Sequence, residues 1–154
     1  MQNRSRHFLS LGALVLAGLS LPQSASSTEG GTSVTVTVTN LRNERGVVRA
    51  CMTREQERFP RCQDNAQSYR VVVPAGEAAT LRFTGVAPGT YGIALLHDEN
   101  DNGRIDRALG MMPREGFGFS RDAPVRMGPP DFEDAAITVG VTPVRQTIRM
   151  RYML

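Results

Sequence analysis

The sequence predicts an all-β fold: an antiparallel β-sandwich of about seven strands with one long ordered loop excursion. Three observations predict it. Short apolar segments alternate with a period of two, turn residues separate them at short intervals, and no segment carries a convincing helical stripe. Strands of that number and length, in a segment of single-domain size, pack as two sheets.

The first strand is SVTVTVTN, residues 33–40. Val34, Val36 and Val38 fall on one face and Thr35, Thr37 and Thr39 on the other, as a half-buried strand requires. A polar turn, residues 40–46, leads into VVRACM, the second strand, which ends at Met52. YRVVV, residues 69–73, is the third, stopped by Pro74 and Gly76. ATLRFTGV is the fourth, with Leu81 and Phe83 facing one way. Pro88 and Gly89 then make a tight turn into TYGIALLHD. There Tyr91, Ile93 and Leu95 alternate with Gly92, Ala94 and Leu96, and the small residues at 92 and 94 predict close packing on their face. AAITV and TIRMRY are the last two strands.

Residues 107–133 do not fit a regular strand. They hold Pro113, Pro124, Pro129 and Pro130. A loop this long in a compact domain is usually functional or disordered. Met111, Met112, Phe117, Phe119, Val125, Met127 and Phe132 argue against disorder, so an ordered excursion over one sheet is expected. Phe117 and Phe119 could stack on a sugar ring; the reading preferred is that they cover a core.

The first 27 residues read as a secretory signal peptide: Arg4 and Arg6, then an uncharged run over residues 8–21, then Pro22 and small residues. The run is short for a membrane span or retained anchor, which needs roughly 20 residues. The expected location is the periplasm or outside the cell, as one domain over residues 28–154 with no stable membrane insertion. The full chain has 18 basic and 15 acidic residues; losing Arg4 and Arg6 with the leader leaves 16 against 15. Every basic residue is arginine, and no dense basic stripe exists, so no nucleic-acid partner is expected. In an oxidising compartment, Cys51 and Cys62 are expected to form a disulfide closing the loop between them.

One stretch carries chemistry. HDENDNGRID, residues 97–106, places Asp98, Asn100, Asn102, Gly103, Arg104 and Asp106 at positions one, three, five, six, seven and nine of a calcium loop. Alternate side chains converge in such a loop, the glycine permits the bend, and the carbonyl of Arg104 completes the set. Ile105 would anchor the loop to the core, while Glu99 and Asp101 would point outward. Position twelve should be a bidentate Glu and is Leu109, so another acid must close the site: Glu115, Asp131, Glu133 or Asp134. Two readings stand, a weak Ca2+ site and a metal-free Asx-rich turn. His97 lacks a partner nominated by sequence, and Ser120 lacks the GxSxG elbow. No catalytic residue is assigned.

HDENDNGRID, GMMPREGFGFSRDA and GPPDFEDAAI together resemble a bacterial family of small exported proteins, domain of unknown function 2141. The resemblance covers residues 33 to 154 and implies an exported β-rich domain without an established activity. It also groups the excursion with the acidic loop, which favours Glu133 or Asp134 as the closing acid. FTGVAPGTYGIAL looks like the strand-turn-strand of transthyretin-like and carboxypeptidase-regulatory-like sandwiches, which bears on fold only; an immunoglobulin-like sandwich is the other form considered. The expected function is a calcium-stabilised binding or accessory module for an unknown glycan or envelope protein. The alternatives are an envelope assembly protein with a metal-free turn and a hydrolase using His97.

Overall fold

The computed structural model describes residues 31–62, 65–108 and 111–154. The expected leader and Leu109 lie outside the described residues. The strands are β1 (Thr32–Thr39), β2 (Val47–Thr53), β3 (Tyr69–Pro74), β4 (Thr80–Val86), β5 (Gly89–Asp98), β6 (Arg107–Ala108), β7 (Met112–Pro113), β8 (Gly116–Phe119), β9 (Ala136–Val139) and β10 (Val144–Arg149), with a one-turn helix α1 (Phe132–Ala135) before β9. One sheet has the order β10-β1-β4. The other has the order β3-β2-β5-β8, with β9 also on β5, and β6 and β7 form a small hairpin. Among the described residues, no helix is long and apolar enough to cross a membrane.

The seven expected strands are all present, and one departs from the antiparallel rule. β10 lies parallel to β1, with Val34 opposite Val144 and Thr39 opposite Arg149. The cause is direction. β9 runs against β5 and finishes at the end of the sandwich where β1 begins, so β10 sets out the same way as β1.

The core follows the period of two. Val34, Val36, Val38, Leu81, Phe83 and Ile148 on one sheet meet Val48, Ala50, Met52, Tyr91, Ile93 and Leu95 on the other, all buried. Burying one large apolar side chain contributes roughly 1.5–3 kcal/mol, so this interior drives folding.

A second cluster covers the outer face of β5. A Cβ on Gly92 would stand 2.8 Å from the Phe59 ring and 3.2 Å from Phe132, which is the close packing the small residues predict. Phe59 meets Phe119 and Phe132 edge-on, each with centroids 5.8 Å apart. Phe117, Ala123 and Ala135 complete the cluster. The phenylalanines of the excursion therefore pack onto the sheet and serve as core. Phe59 comes from the β2–β3 loop, which the Cys51–Cys62 disulfide closes with Cα atoms 5.9 Å apart.

β8 lies inside the excursion, where the sequence predicts no strand. Its glycines hide the alternation. Gly116 lies against the Tyr152 ring and Gly118 against Ile148 and the carbonyl of Arg149, so a side chain at either position would collide.

β8 and β9 share one edge of β5. β8 pairs with residues 94–97 and β9 with residues 89–92. Ile93 falls in the gap. Its N–H donates to Ser120 Oγ at 2.9 Å, and the Ser120 hydroxyl in turn donates to the carbonyl of Ala135. Fully buried, Ser120 joins the two half-edges. Ser120→Ala leaves the Ile93 amide without a partner and should cost about 1–3 kcal/mol, read as a lowered urea midpoint. Replacing both Cys51 and Cys62 with Ala should cost about 2–3 kcal/mol by loop entropy in the same measurement.

Candidate functional site

The acidic turn starts where β5 ends. Asp98 is fully buried, and each of its oxygens has a donor. Oδ2 accepts from Arg49 Nε at 2.6 Å and Gly103 N at 2.8 Å, and Oδ1 accepts from Asn102 N at 3.0 Å. The bend that turns these amides inward puts Gly103 at φ 76°, a left-handed conformation that costs glycine nothing. Asn100 Oδ1 accepts from Asn102 N at 3.2 Å and Asn102 Oδ1 from Arg104 N at 2.8 Å, two Asx turns in succession. The same two side chains donate to Asp106: Asn100 Nδ2 to Oδ2 at 2.7 Å and Asn102 Nδ2 to Oδ1 at 3.0 Å. Asp98, Asn100, Asn102 and Asp106 are thus brought together, with Arg104 bound through its main chain.

The acid that closes the turn is Glu115, at the foot of β8. It is 4% exposed. Its Oε2 accepts from Asp106 N at 3.0 Å and its Oε1 from Glu99 N at 3.2 Å, so one carboxylate staples both arms. Glu133 and Asp134 do not reach the turn, which corrects the expectation that one of them closes it. Both are exposed on α1, and β9, which follows directly, is in register with residues 89–92. That places them toward the opposite end of β5 from Asp98. Ile105 is also displaced from its expected role: it is 46% exposed and anchors nothing in the core.

Two arginines answer the remaining charge. Arg49 Nη2 donates to Asp101 Oδ1 at 2.5 Å. Arg42 Nε donates to Glu99 Oε1 at 2.6 Å, and Asn43 Nδ2 donates to Glu99 Oε2 at 3.0 Å. Both acids are therefore paired; Asp101 is exposed as expected, whereas the Glu99 side chain is only 13% exposed and does not point outward. Burial works to raise the Asp98 pKa, but the bonds from Arg49, Gly103 and Asn102 outweigh it and hold this carboxyl below its usual range. Burial likewise works against Glu99, and Asn43 and Arg42 bring it below the usual range. Glu115 goes the other way. Burial pushes it up and, with the charges of Asp98 and Asp106, outweighs the relief its amide donors give.

The donor set is all oxygen, which suits a hard cation. Each carboxylate oxygen of Asp98, Asp106 and Glu115 already accepts a bond from the chain. Among the described residues, no group of three or more His, Cys, Asp or Glu side chains is spaced to hold a metal ion.

His97 is buried beside the turn. Its Nε2 lies 2.9 Å from the carbonyl of Arg45 and its Nδ1 2.8 Å from Tyr152 Oη. A carbonyl only accepts, so Nε2 carries the proton and Nδ1 accepts from the tyrosine. Tyr152 Oη accepts from Arg42 N at 3.2 Å, and the Arg42 guanidinium lies 4.5 Å from the Tyr152 ring centre. Both ring nitrogens are committed to holding the residue 40–46 turn against Tyr152.

Sequence reading missed the roles of Arg42, Arg49 and Tyr152. Arg49 had a signal of a kind: Val47 stands opposite Asp98 and Arg49 opposite Leu96, so Arg49 and Asp98 are diagonal neighbours on one face. Finding it requires knowing that β2 pairs with β5.

Fold and site together define a small β-sandwich whose acidic turn is closed from within. The chain belongs to the bacterial family described as an uncharacterized protein conserved in bacteria, DUF2141, whose model matches residues 36–147. No curated protein and no solved structure matches it.

Arg49→Met should destabilise the protein by roughly 2–3 kcal/mol at neutral pH. That is less than a fully buried pair would lose, because the Arg49 side chain is 33% exposed. Asp98 has a depressed folded pKa, so its contribution is present above its unfolded pKa and lost as pH falls. The gap between wild type and variant should therefore shrink as pH falls through and below about 4, measured by urea unfolding across pH.

Proposed function

We propose that the chain is an exported, non-catalytic accessory module of the bacterial envelope, one that binds a partner and does not transform it. One observation carries this reading. The polar side chains with chemical potential, His97, Ser120, Asp98 and Glu115, are buried, and their reactive atoms are bonded to the fold itself. A general base needs a free lone pair within reach of substrate, and a nucleophile needs a base beside it. Export is supported by the leader-like first 27 residues. The test is turnover. Wild type and His97→Gln, screened against ester, phosphoester, glycoside and peptide substrates, should both stay at the blank rate. Turnover in wild type that His97→Gln abolishes would replace the module with a hydrolase.

Calcium is a second reading, supported by the convergence of Asp98 and Asp106 on Asn102. Asp98 and Asp106, with the side-chain oxygens of Asn100 and Asn102 and the Arg104 carbonyl, would hold the ion, which would add positive charge to the turn. It would compete with Arg49 for Asp98 and with two amides for Asp106, so its Kd falls in the ~10⁻⁴–10⁻³ M range. At about ten times Kd, the gain is roughly 1.4 kcal/mol, a shift of a few degrees for a domain of this size. Thermal melts in calcium and in chelator read it directly, and identical curves at about 10 mM calcium, ten times the weakest Kd in that range, remove the ion.

A further inference from the structure

The outer face of the β10-β1-β4 sheet is built from one kind of chemistry. Val34, Val36 and Val38 point into the core, so the alternate residues of β1 point away from it. The register carries this across the sheet. Thr35 stands between Arg145 and Arg82, Thr37 stands between Thr147 and Thr80, and Thr39 lies opposite Arg149. The middle row, Thr147, Thr37 and Thr80, is exposed along its length. Every outward position on the three strands is Ser, Thr or Arg. A solvated face ordinarily mixes both signs of charge; this one holds no carboxylate and no apolar side chain.

Its arginines are not neutralised. Among the described residues, none of Arg82, Arg145 and Arg149 forms an ion pair. Arg82 Nη2 donates to Ser33 Oγ at 3.2 Å, a neutral partner. The segments at the rim carry the acids Glu44, Glu77 and Asp122, and they also carry Arg45, Arg121 and Arg151. Arg151 pairs with Asp122 at 2.9 Å, and Arg42, also at the rim, is matched by Glu99. The rim balances itself, so the three positive charges of the face are an excess.

What such a face can hold follows from what it offers and lacks. It has no apolar side chain to enter a lipid boundary, no aromatic ring to stack on a base and no apolar centre for a protein interface. It offers hydroxyls that both donate and accept, as sugar hydroxyls do, and guanidinium groups that pair bidentately with carboxylates. Strands lie about 4.8 Å apart, so Arg145 and Arg82 flank Thr35 at roughly 10 Å from each other, and one polymer laid across the strands meets both. From this charge complementarity, we infer that the outer face of the β10-β1-β4 sheet binds an acidic polysaccharide. Arg82, Arg145 and Arg149 take its carboxylates, and the Thr147–Thr37–Thr80 row takes its hydroxyls. The inference rests on the partner-binding reading above and names its partner class.

The experiment is affinity electrophoresis of the full chain through gels holding polygalacturonate, alginate or neutral dextran. Chelator is present, so that no calcium bridges protein and polymer. The expected result is retardation by a uronate polymer, weakened by salt, and none by dextran. Arg82→Gln with Arg145→Gln and Arg149→Gln should weaken binding at least about tenfold. Thr37→Val with Thr80→Val and Thr147→Val keeps the β-branched shape and should weaken it at least about threefold. The same charge removed elsewhere, by Arg61→Gln with Arg107→Gln and Arg126→Gln, should leave it within about twofold. All nine side chains are exposed, and an unchanged urea midpoint checks the fold. No retardation by either uronate polymer, or face variants that bind like wild type, would overturn the proposal. An equal loss in the Arg61, Arg107 and Arg126 variant would also overturn it, by making net charge the cause. So would equal binding to polyphosphate or to phosphatidylglycerol vesicles, insensitive to the threonine changes, by making the ligand any polyanion. These outcomes are separate from turnover, so a failed gel assay leaves the non-catalytic reading standing.

Discussion

A carboxylate with no access to water sits at the end of the longest strand, and the geometry around it follows from that. Leaving the Asp98 charge uncompensated in the interior would cost several kcal/mol. Three donors meet the cost: the Arg49 guanidinium and the amides of Asn102 and Gly103. Two of the three lie in the turn itself, so the chain after β5 must curl back over its own strand end. That curl brings Asn100 and Asn102 onto Asp106, and Asp106 next to the carboxylate of Glu115. The acidic turn is thus a consequence of a buried charge as much as of turn propensity.

The same strand organises the other end. β5 is ten residues long, and neither β8 nor β9 is long enough to cover its free edge. Each takes half, and Ser120 supplies the missing partner at Ile93. The outer face of β5 is covered by Phe59 from the disulfide-closed loop and Phe132 from α1, seated over Gly92. The excursion is consequently fixed at its start by Glu115, in its middle by Ser120 and at its end by Phe132. Each of these anchors is a bond or contact made by the chain itself.

The strands were legible because their alternation is strict: Val34, Val36 and Val38, or Tyr91, Ile93 and Leu95, face inward as their spacing requires. The packed part of the excursion was legible from Phe117, Phe119 and Phe132, which are buried; Met111, Met112 and Met127, counted with them, are exposed. β8 was not, because Gly116 and Gly118 carry no hydropathy signal and their requirement comes from Tyr152 and Ile148, far along the chain. The convergence of Asp98, Asn100, Asn102 and Asp106 followed from local spacing. The choice of Glu115 over Glu133 did not, since it depends on which half of β5 each of β8 and β9 occupies. The parallel β10 was hidden for the same reason. Local periodicity names a strand, but only sheet topology gives its direction.

The turn also carries two opposed responses to acid. Glu115 has a raised folded pKa, so ionising it works against the fold, and that penalty is relieved first as pH falls from neutrality. Asp98 and Glu99 have depressed folded pKa values, so the stability they contribute survives until pH drops below the ordinary carboxylate range. Mild acid therefore removes a repulsion before it removes an attraction. The order comes from position: Glu115 has only main-chain amides and lies beside two like charges, whereas Asp98 and Glu99 each hold a guanidinium. Through moderate acidification the Arg49–Asp98 and Arg42–Glu99 pairs therefore still hold the turn.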